Sequence, residues 1–308
     1  MDRELCTIYD CEYDLYKKGF IKDNRVYAQS NEGNLAPASE YVCEYISFDM
    51  VQFYTDHYDK SGIQSKEDNS KWGYFQLSTG RVVVPPIYDY AYPFYDDRAK
   101  VQKNLKYGFI DPKGREVVEI IWDDTARAFH KALCWVKKGD EFGYIDKDGA
   151  VVLPPQFEVA KGFQFIGESY EDQNYAALVK KDGKFGYIDE KGNYIFEPSF
   201  EDARAFSRIG NKPIMSYAPV MIYGKWGFID KKGAFVVAFQ FDDVGEKPFF
   251  GAEHLDFYTV NKYGQWGLMN ADFDHIAPLN GQRYVVYRGW KIYIKDGKVT
   301  STRKLKRQ

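Results

Sequence analysis

The feature that most constrains the fold of this chain is an aromatic-glycine pair that returns at a regular interval. Successive glycines of these pairs are 35, 35, 43, 41 and 40 residues apart. Periods of this length are typical of solenoids and propellers, in which each copy is one supersecondary unit packed on its neighbours. The pairs are Trp72-Gly73, Tyr107-Gly108, Phe142-Gly143, Phe185-Gly186, Trp226-Gly227 and Trp266-Gly267.

Each copy continues with the sequence of a β-hairpin. The third copy, for example, runs from Tyr144-Ile145-Asp146 through a charged turn ending in Gly149 to the apolar run Val151-Val152-Leu153-Pro154-Pro155. A closing Gly suits a turn that needs a positive φ, and Pro removes a hydrogen-bond donor and ends strand pairing. A further strand, such as Tyr175 to Lys180, leads into the next pair. We therefore predict about three antiparallel strands in each copy.

Two residue types that recur in every copy are interpreted as structural. A glycine inside a strand marks a bulge or the close approach of another backbone, and we expect the neighbouring repeat to make that approach. An acid that follows an aromatic residue once per copy is interpreted as a strand-end device that accepts backbone N–H bonds. These acids are Asp89, Asp123, Glu158, Glu201 and Asp242.

Composition excludes several classes of protein. Hydrophobic residues make up 44% of the 308 residues and aromatic residues 18%, which is enough to form a core and favours strands. The 42 basic and 45 acidic residues give a net charge of -3, so nucleic acid is an unlikely partner. The N-terminus has no signal-peptide pattern, and no apolar run is long enough for a membrane span. We expect a cytoplasmic protein.

The repeated segments resemble a known family. Lys71-Trp72-Gly73-Tyr74, Lys225-Trp226-Gly227-Phe228-Ile229-Asp230 and the Val-Val-Leu-Pro-Pro run are similar to the bacterial WG (KWG) β-repeat family, over roughly residues 71–300. The resemblance implies a repeat β architecture. It implies no single reaction, cofactor or catalytic residue, because a fold does not determine a function.

The predicted fold is all-β, with tandem three-stranded antiparallel units stacked in an elongated superhelical array. A closed β-propeller is the alternative, since units of this length also fit propeller blades. Residues 1–70 are predicted to be an N-terminal cap with a possible degenerate repeat near Arg25–Pro37. Residues 71–300 form about six units plus a terminal half unit, and residues 301–308 are a basic tail.

The sequence carries no recognisable catalytic or cofactor motif, so neither a catalytic residue, a metal site nor a cofactor is predicted. Asp146-Lys147-Asp148-Gly149 resembles the start of a calcium loop, but an apolar run follows where further oxygen ligands are needed. Cys6, Cys11, Cys43 and His57 lack the paired spacing of a zinc site. One remaining alternative is an enzyme centred on residues 1–70 that uses Cys6 or Cys11 with His57.

Three copies carry extra residues at the same place, before the third strand, at 167–174, 208–213 and 248–254. Insertions in repeat proteins project from one side, which is often the binding side. The first hypothesis is a non-catalytic protein-binding scaffold, either a cytoplasmic adaptor or a toxin-neutralising partner. The alternative is a carbohydrate or cell-envelope binding module that uses exposed Tyr and Trp. The candidate binding residues are Glu168, Tyr170, Glu171, Asp172, Arg208, Lys212, Phe249, Phe250 and His254.

Overall fold

The computed structural model is all β, as predicted. In the residues that it describes there is no α-helix, neighbouring strands run antiparallel and no sheet closes into a barrel. None of these residues forms a helix with the length and hydropathy that a membrane crossing needs. The structure describes residues 4–10, 15–22, 25–29, 35–37, 49–55, 71–129, 133–167, 174–209, 215–246, 248–250, 256–270, 273–278 and 282–305.

The chain divides into two compact units, Met1–Pro155 and Gln156–Gln308. The first sheet of the first unit contains β1 (Glu4–Asp10), β2 (Leu15–Lys22), β3 (Arg25–Gln29), β4 (Leu35–Pro37), β5 (Met50–Thr55), β6 (Trp72–Gln76) and β7 (Val82–Tyr88). Their order is β4-β3-β2-β1-β5-β6-β7, so strands from the predicted N-terminal cap join the hairpin that carries the first aromatic-Gly pair. The segment considered a degenerate repeat forms the antiparallel pair β3–β4.

The next two sheets each have four strands. The second sheet contains β8 (Tyr90–Ala91), β9 (Ala99–Lys103), β10 (Lys106–Ile110) and β11 (Glu116–Trp122). The third contains β12 (Asp124–Thr125), β13 (Leu133–Lys138), β14 (Glu141–Asp146) and β15 (Val151–Phe157). Strands follow one another in chain order across each sheet. The three strands predicted for each copy are therefore present, but they are grouped differently: the strand that closes one copy pairs with the aromatic-Gly strand of the next, as β9 does with β10. A two-residue strand joins each sheet as a fourth.

The second unit repeats this arrangement with one addition. The fourth, fifth and sixth sheets each carry an extra short strand that pairs with the third strand of the copy. The fourth sheet contains β16 (Val159–Ala160), β17 (Gln164–Phe165), β18 (Tyr175–Lys181), β19 (Lys184–Asp189) and β20 (Tyr194–Phe200). The fifth contains β21 (Asp202–Ala203), β22 (Ser207–Ile209), β23 (Met215–Ile222), β24 (Lys225–Asp230) and β25 (Phe235–Phe241).

The sixth sheet contains β26 (Asp243–Val244), β27 (Phe249–Phe250), β28 (Asp256–Lys262), β29 (Gln265–Asn270) and β30 (His275–Ile276). The seventh contains β31 (Tyr284–Tyr287), β32 (Trp290–Lys295) and β33 (Lys298–Lys304). Its first two strands are the half unit that the sequence predicts, and its third includes the first residues of the predicted basic tail.

Within each unit, the hydrophobic core lies between successive sheets. In the second unit, one cluster joins Trp226 and Phe228 of the fifth sheet to Tyr258 and Val260 of the sixth. All four side chains are at most 1% exposed. Within each unit, packing of one sheet on the next explains why strands of the aromatic-Gly pairs such as β24 are buried on both faces.

A close contact within its own sheet requires glycine in the aromatic-Gly pair. A Cβ at Gly227 would lie 2.7 Å from the carbonyl oxygen of Val237, on the next strand, at a shift of the pairing register. The prediction that the neighbouring repeat makes this close approach is therefore wrong. The preceding sheet comes close instead at the turn glycine, because a Cβ at Gly233, where φ is +90°, would lie 2.2 Å from the ring of Phe196.

The sixth copy lacks the turn glycine and replaces it with an aromatic residue. Phe273 has φ of 67° and donates its N–H to the carbonyl of Asn270 at 3.1 Å, as Gly233 does to Asp230. A non-glycine residue in this conformation costs about 1 kcal/mol or more. The ring of Phe273 packs against Tyr217, with centroids 4.8 Å apart, which offsets part of that cost.

Candidate functional site

The three insertions leave their sheets at one register position. The extra short strand lies at the beginning of each insertion, just before it in the fourth sheet and including some of its residues in the fifth and sixth, and it pairs with the start of the third strand. The pairs are Gln164 with Ala176, Ser207 with Tyr217 and Phe249 with Phe257. On their other side, these three partners pair with Asp189, Asp230 and Asn270, the residues that open the turns. All three insertions therefore emerge from the same end of their sheets.

Among the predicted binding residues, Phe249 has a described side chain. Its half-buried ring stacks on Phe257, with centroids 5.1 Å apart and an interplanar angle of 27°. Arg208 lies in β22 and Phe250 in β27, for which the backbone is described. The candidates outside the described residues are Glu168, Tyr170, Glu171, Asp172, Lys212 and His254.

Phe249 lines a cavity of about 560 Å³ at the edge of the sixth sheet. Pockets of this size hold small molecules or single side chains of a partner. The walls come from β26 and the segment after it, from the start of β27, from β28 and β29, from the turn between β32 and β33 with the start of β33, and from the residue after β21. Residues that define the walls include Arg204, Asp243, Gly245, Phe249, Trp266 and Asp296.

The walls of the cavity carry more acids than bases. The carboxylates of Asp243, Glu246 and Asp296 are exposed, and Lys298 is an exposed base at the same wall. Among the described residues, none of the three carboxylates forms an ion pair within 4.0 Å. The cavity therefore presents unneutralised negative charge.

The other base of the wall, Arg204, is already engaged within the protein. Its Nη1 atom lies 2.9 Å from Oδ2 of Asp202, and its guanidinium carbon lies 4.4 Å from the ring centroid of Trp226. The side chain is 25% exposed. Sequence reasoning missed this cavity. A signal was present in the departure of Gly245 from the long side chains Tyr92, Lys161 and Arg204 at the same position in other copies, although the third sheet has the small Ala126 there.

The acids that recur beside an aromatic residue hold the hairpin turns. Each accepts an N–H bond from the turn between the third strand and the aromatic-Gly strand. In the third sheet, Oδ2 of Asp123 accepts the N–H of Gly139 at 2.6 Å. A bond from Lys106 and that N–H lower the pKa of Asp123. The other acid and donor pairs are Asp89 with Asn104, Glu158 with Gly183, Glu201 with Gly224, and Asp242 with Gly264.

The segment that resembles a calcium loop is a hydrogen-bonded turn. Oδ1 of Asp146 accepts the N–H groups of Asp148 and Ala150 at 3.0 and 2.8 Å. This carboxylate oxygen caps the backbone, as the turn interpretation requires. Within the described ranges, no three His, Cys, Asp or Glu side chains converge as metal ligands.

Cys134 is the cysteine whose side chain the structure describes. Cys134 is buried, and its burial raises the pKa of the thiol to about 12, so the reactive thiolate is scarce at neutral pH. Cys6 lies in β1, where the backbone alone is described, and Cys11, Cys43 and His57 lie outside the described residues.

Comparison with known families identifies the repeat. The family described as WG containing repeat matches five consecutive segments, at residues 72–107, 107–141, 142–185, 185–226 and 226–249. The sixth aromatic-Gly pair follows the last matched segment, although its strand β29 pairs with β28 and β30 in the same arrangement. No curated protein matches the chain significantly.

Solved structures with some likeness have low sequence identity. A streptogramin B lyase is 14% identical with a TM-score of 0.33, and the match covers 97% of this chain and 92% of the lyase. A virginiamycin B lyase from Staphylococcus aureus is 14% identical with a TM-score of 0.28, covering 92% and 86%. The Dos1 propeller is 12% identical with a TM-score of 0.28, covering 88% and 69%. Such low scores carry no conclusion about activity.

Proposed function

The chain belongs to the WG-containing repeat family, and from this premise we propose that it is a non-catalytic scaffold that binds a protein partner. The observation that carries the proposal is the common exit of the three insertions, at equivalent register positions in the fourth, fifth and sixth sheets. Loops held by a rigid scaffold are the usual place for binding residues. An adaptor or toxin-neutralising role and a cytoplasmic location are parts of this proposal.

The non-catalytic part of the proposal is supported by what the recurring polar residues do. The acids Asp123 and Asp146 accept backbone N–H bonds, and Cys134 is buried with a raised thiol pKa. Each of these groups therefore has a structural role, whereas a catalytic group must be free to reach a substrate.

The test is affinity capture from the native lysate with the intact chain and with a trimmed chain. The trimmed chain replaces residues 168–173, 210–214 and 251–255 with short Gly-Ser turns and keeps the flanking strands. We expect one protein to be captured by the intact chain and lost with the trimmed chain. Equal capture by both chains would contradict the proposed binding side.

A matched control removes exposed aromatic residues from the opposite ends of the same strands. Tyr223 and Tyr263 are 91% and 88% exposed, directly after β23 and β28, with φ of 50° and 55°. Tyr223→Asn and Tyr263→Asn should keep protein capture, because Asn tolerates this backbone conformation and the insertions are untouched.

The same two tyrosines favour the alternative function, a carbohydrate or cell-envelope binder. Exposed rings at turn tips can serve as stacking platforms for sugar rings. On this alternative, the Tyr223→Asn and Tyr263→Asn chain would lose binding on a glycan array, whereas the trimmed chain would keep it. The two variants therefore separate the two functions.

A further inference from the structure

In four copies, the aromatic residue of the aromatic-Gly pair has a cation over its ring. Such contacts contribute about 0.5–1 kcal/mol at exposed sites and more when water is excluded. Among the described residues, no cation lies over the ring of Trp266 in the sixth sheet. The cation and ring pairs are Lys100 and Tyr107 at 4.1 Å, Lys137 and Phe142 at 5.6 Å, Lys180 and Phe185 at 5.6 Å, and Arg204 and Trp226 at 4.4 Å.

The fifth and sixth sheets have equivalent backbones around these two tryptophans. The N–H of Arg204 donates to the carbonyl of Pro219 at 2.9 Å, and the N–H of Gly245 donates to the carbonyl of Thr259 at 2.9 Å. Pro219 and Thr259 lie at the same register of β23 and β28. Gly245 therefore occupies the position of Arg204, without a side chain.

The acid that holds the arginine is kept in the sixth sheet. Oδ1 of Asp202 accepts the N–H of Ala203 at 2.8 Å, while its Oδ2 accepts a bond from Arg204 at 2.9 Å. Oδ1 of Asp243 likewise accepts the N–H of Val244 at 2.8 Å. Its Oδ2 has no donor among the described residues. The sixth sheet thus retains the carboxylate and the indole ring but lacks the cation between them.

The cavity of about 560 Å³ lies at this position, with Asp243, Gly245 and Trp266 in its walls. We propose that it binds a basic side chain, arginine or lysine, from the protein partner, which takes the place that Arg204 fills in the fifth sheet. This inference rests on the proposed function and names the chemistry that the partner must present.

The net charge of the cavity and its indole ring favour a planar cation. Glu246 and Asp296 add negative charge near Asp243, Lys298 offsets one of these charges, and the charge of Arg204 is balanced by Asp202. A guanidinium group can stack on an indole while it forms a bidentate bond with a carboxylate, so arginine should bind better than lysine. The half-buried Phe249 supplies an apolar surface for the aliphatic part of the side chain.

The probe is Nα-acetyl-arginine amide, added to the full chain, with Nα-acetyl-citrulline amide as the neutral isostere. Binding is followed by the NMR signal of the Trp266 indole N–H, assigned with a Trp266→Phe variant. We expect a saturable shift with the arginine probe and binding of citrulline that is at least about tenfold weaker, because citrulline lacks the charge. Equal binding of both probes, or no shift with arginine, would overturn the inference.

Two variants place the interaction in the cavity. Asp243→Asn should weaken arginine binding about tenfold, because it removes the carboxylate charge. Gly245→Arg should abolish binding, because the new side chain can occupy the cavity as Arg204 occupies its own site. Arg204 stands at the equivalent position in the fifth sheet with the same backbone bond, so this backbone accepts arginine. Glu141→Gln, an exposed acid of the first unit, is the charge-matched control and should bind normally.

Unchanged binding to Asp243→Asn would sink the inference, even if Gly245→Arg fails to fold. The proposed function is judged separately, by capture of the protein partner with the trimmed chain. If Gly245→Arg and Asp243→Asn still capture that partner at full strength, the scaffold function stands and the cavity does not take its basic side chain.

Discussion

The fifth and sixth sheets show how one residue can turn an internal packing site into a cavity. Both sheets place a tryptophan before the bulge glycine and an aspartate on the short first strand. In the fifth sheet Arg204 covers Trp226 and pairs with Asp202, whereas in the sixth sheet Gly245 leaves Trp266 and Asp243 at a cavity wall. The backbone is shared and the side chain differs, so one substitution changes the surface that a repeat presents without a change in fold.

The largest expected effect tests whether the two sheets truly share a backbone. A Cβ at Gly227 would lie 2.7 Å from the Val237 carbonyl oxygen, and one at Gly267 2.4 Å from that of Ile276. We expect Gly227→Ala and Gly267→Ala each to lower the free energy of unfolding by about 3 kcal/mol, since backbone atoms cannot move aside. Urea unfolding measures this.

Gly139→Ala is the control for this pair, because Gly139 has φ of 63° and a Cβ there would meet nothing within 4 Å. It should cost about 1 kcal/mol, from backbone conformation alone. If Gly267→Ala lowers the free energy of unfolding by no more than Gly139→Ala does, the two sheets do not share the same close approach at this glycine.

A smaller effect distinguishes the site that Arg204 fills in the fifth sheet from the equivalent site at Gly245 in the sixth. Arg204→Met keeps much of the aliphatic stem but removes the cation from Trp226, and should cost about 1 kcal/mol of unfolding free energy. Asp243→Asn, at the empty site, should change stability by less than about 0.5 kcal/mol. Thermal or urea unfolding of both variants decides this, and equal costs would show that Asp243 already has a structural role.

The smallest effect concerns the acid that holds the turn of the sixth sheet. A bond from Lys225 lowers the pKa of Asp242 below its ordinary value of 3.8, against the opposing effect of burial. A folded-state pKa below the unfolded value contributes stability above the unfolded pKa, and this is lost as pH falls through the folded pKa. Asp242→Asn should therefore lower the urea midpoint at neutral pH, and the difference should close below pH 3.8.

Asp242 does not line the cavity, so Gly245→Arg should leave this pH dependence unchanged. The test repeats the Asp242→Asn comparison in a chain that also carries Gly245→Arg. A different pH dependence of the urea midpoint in that double variant would show that the turn and the cavity are coupled. The same experiment therefore measures whether the cavity and the turn held by Asp242 are energetically independent.

The sequence by itself determined the repeat, the hairpins and the all-β class. These are local patterns, since the aromatic-Gly pair, the Asp turn and the apolar run lie within one copy; the pair recurs six times and the Asp turn four times. The sequence also predicted that the three insertions leave from one side, because they share one place in the repeat period. Residues inside the insertions, such as Tyr170, stay predictions because they lie outside the described residues.

Only the tertiary structure decided the role of each glycine and the existence of the cavity. The close approach at Gly227 comes from a carbonyl on the next strand, which depends on a register shift that the sequence does not reveal. The cavity depends on a missing side chain at Gly245, 21 residues before Trp266. Gly245 and Trp266 lie close together because the short first strand folds against its sheet. A void exists only where residues distant in the sequence meet and one of them is too small to fill the space, so the sequence alone does not show it.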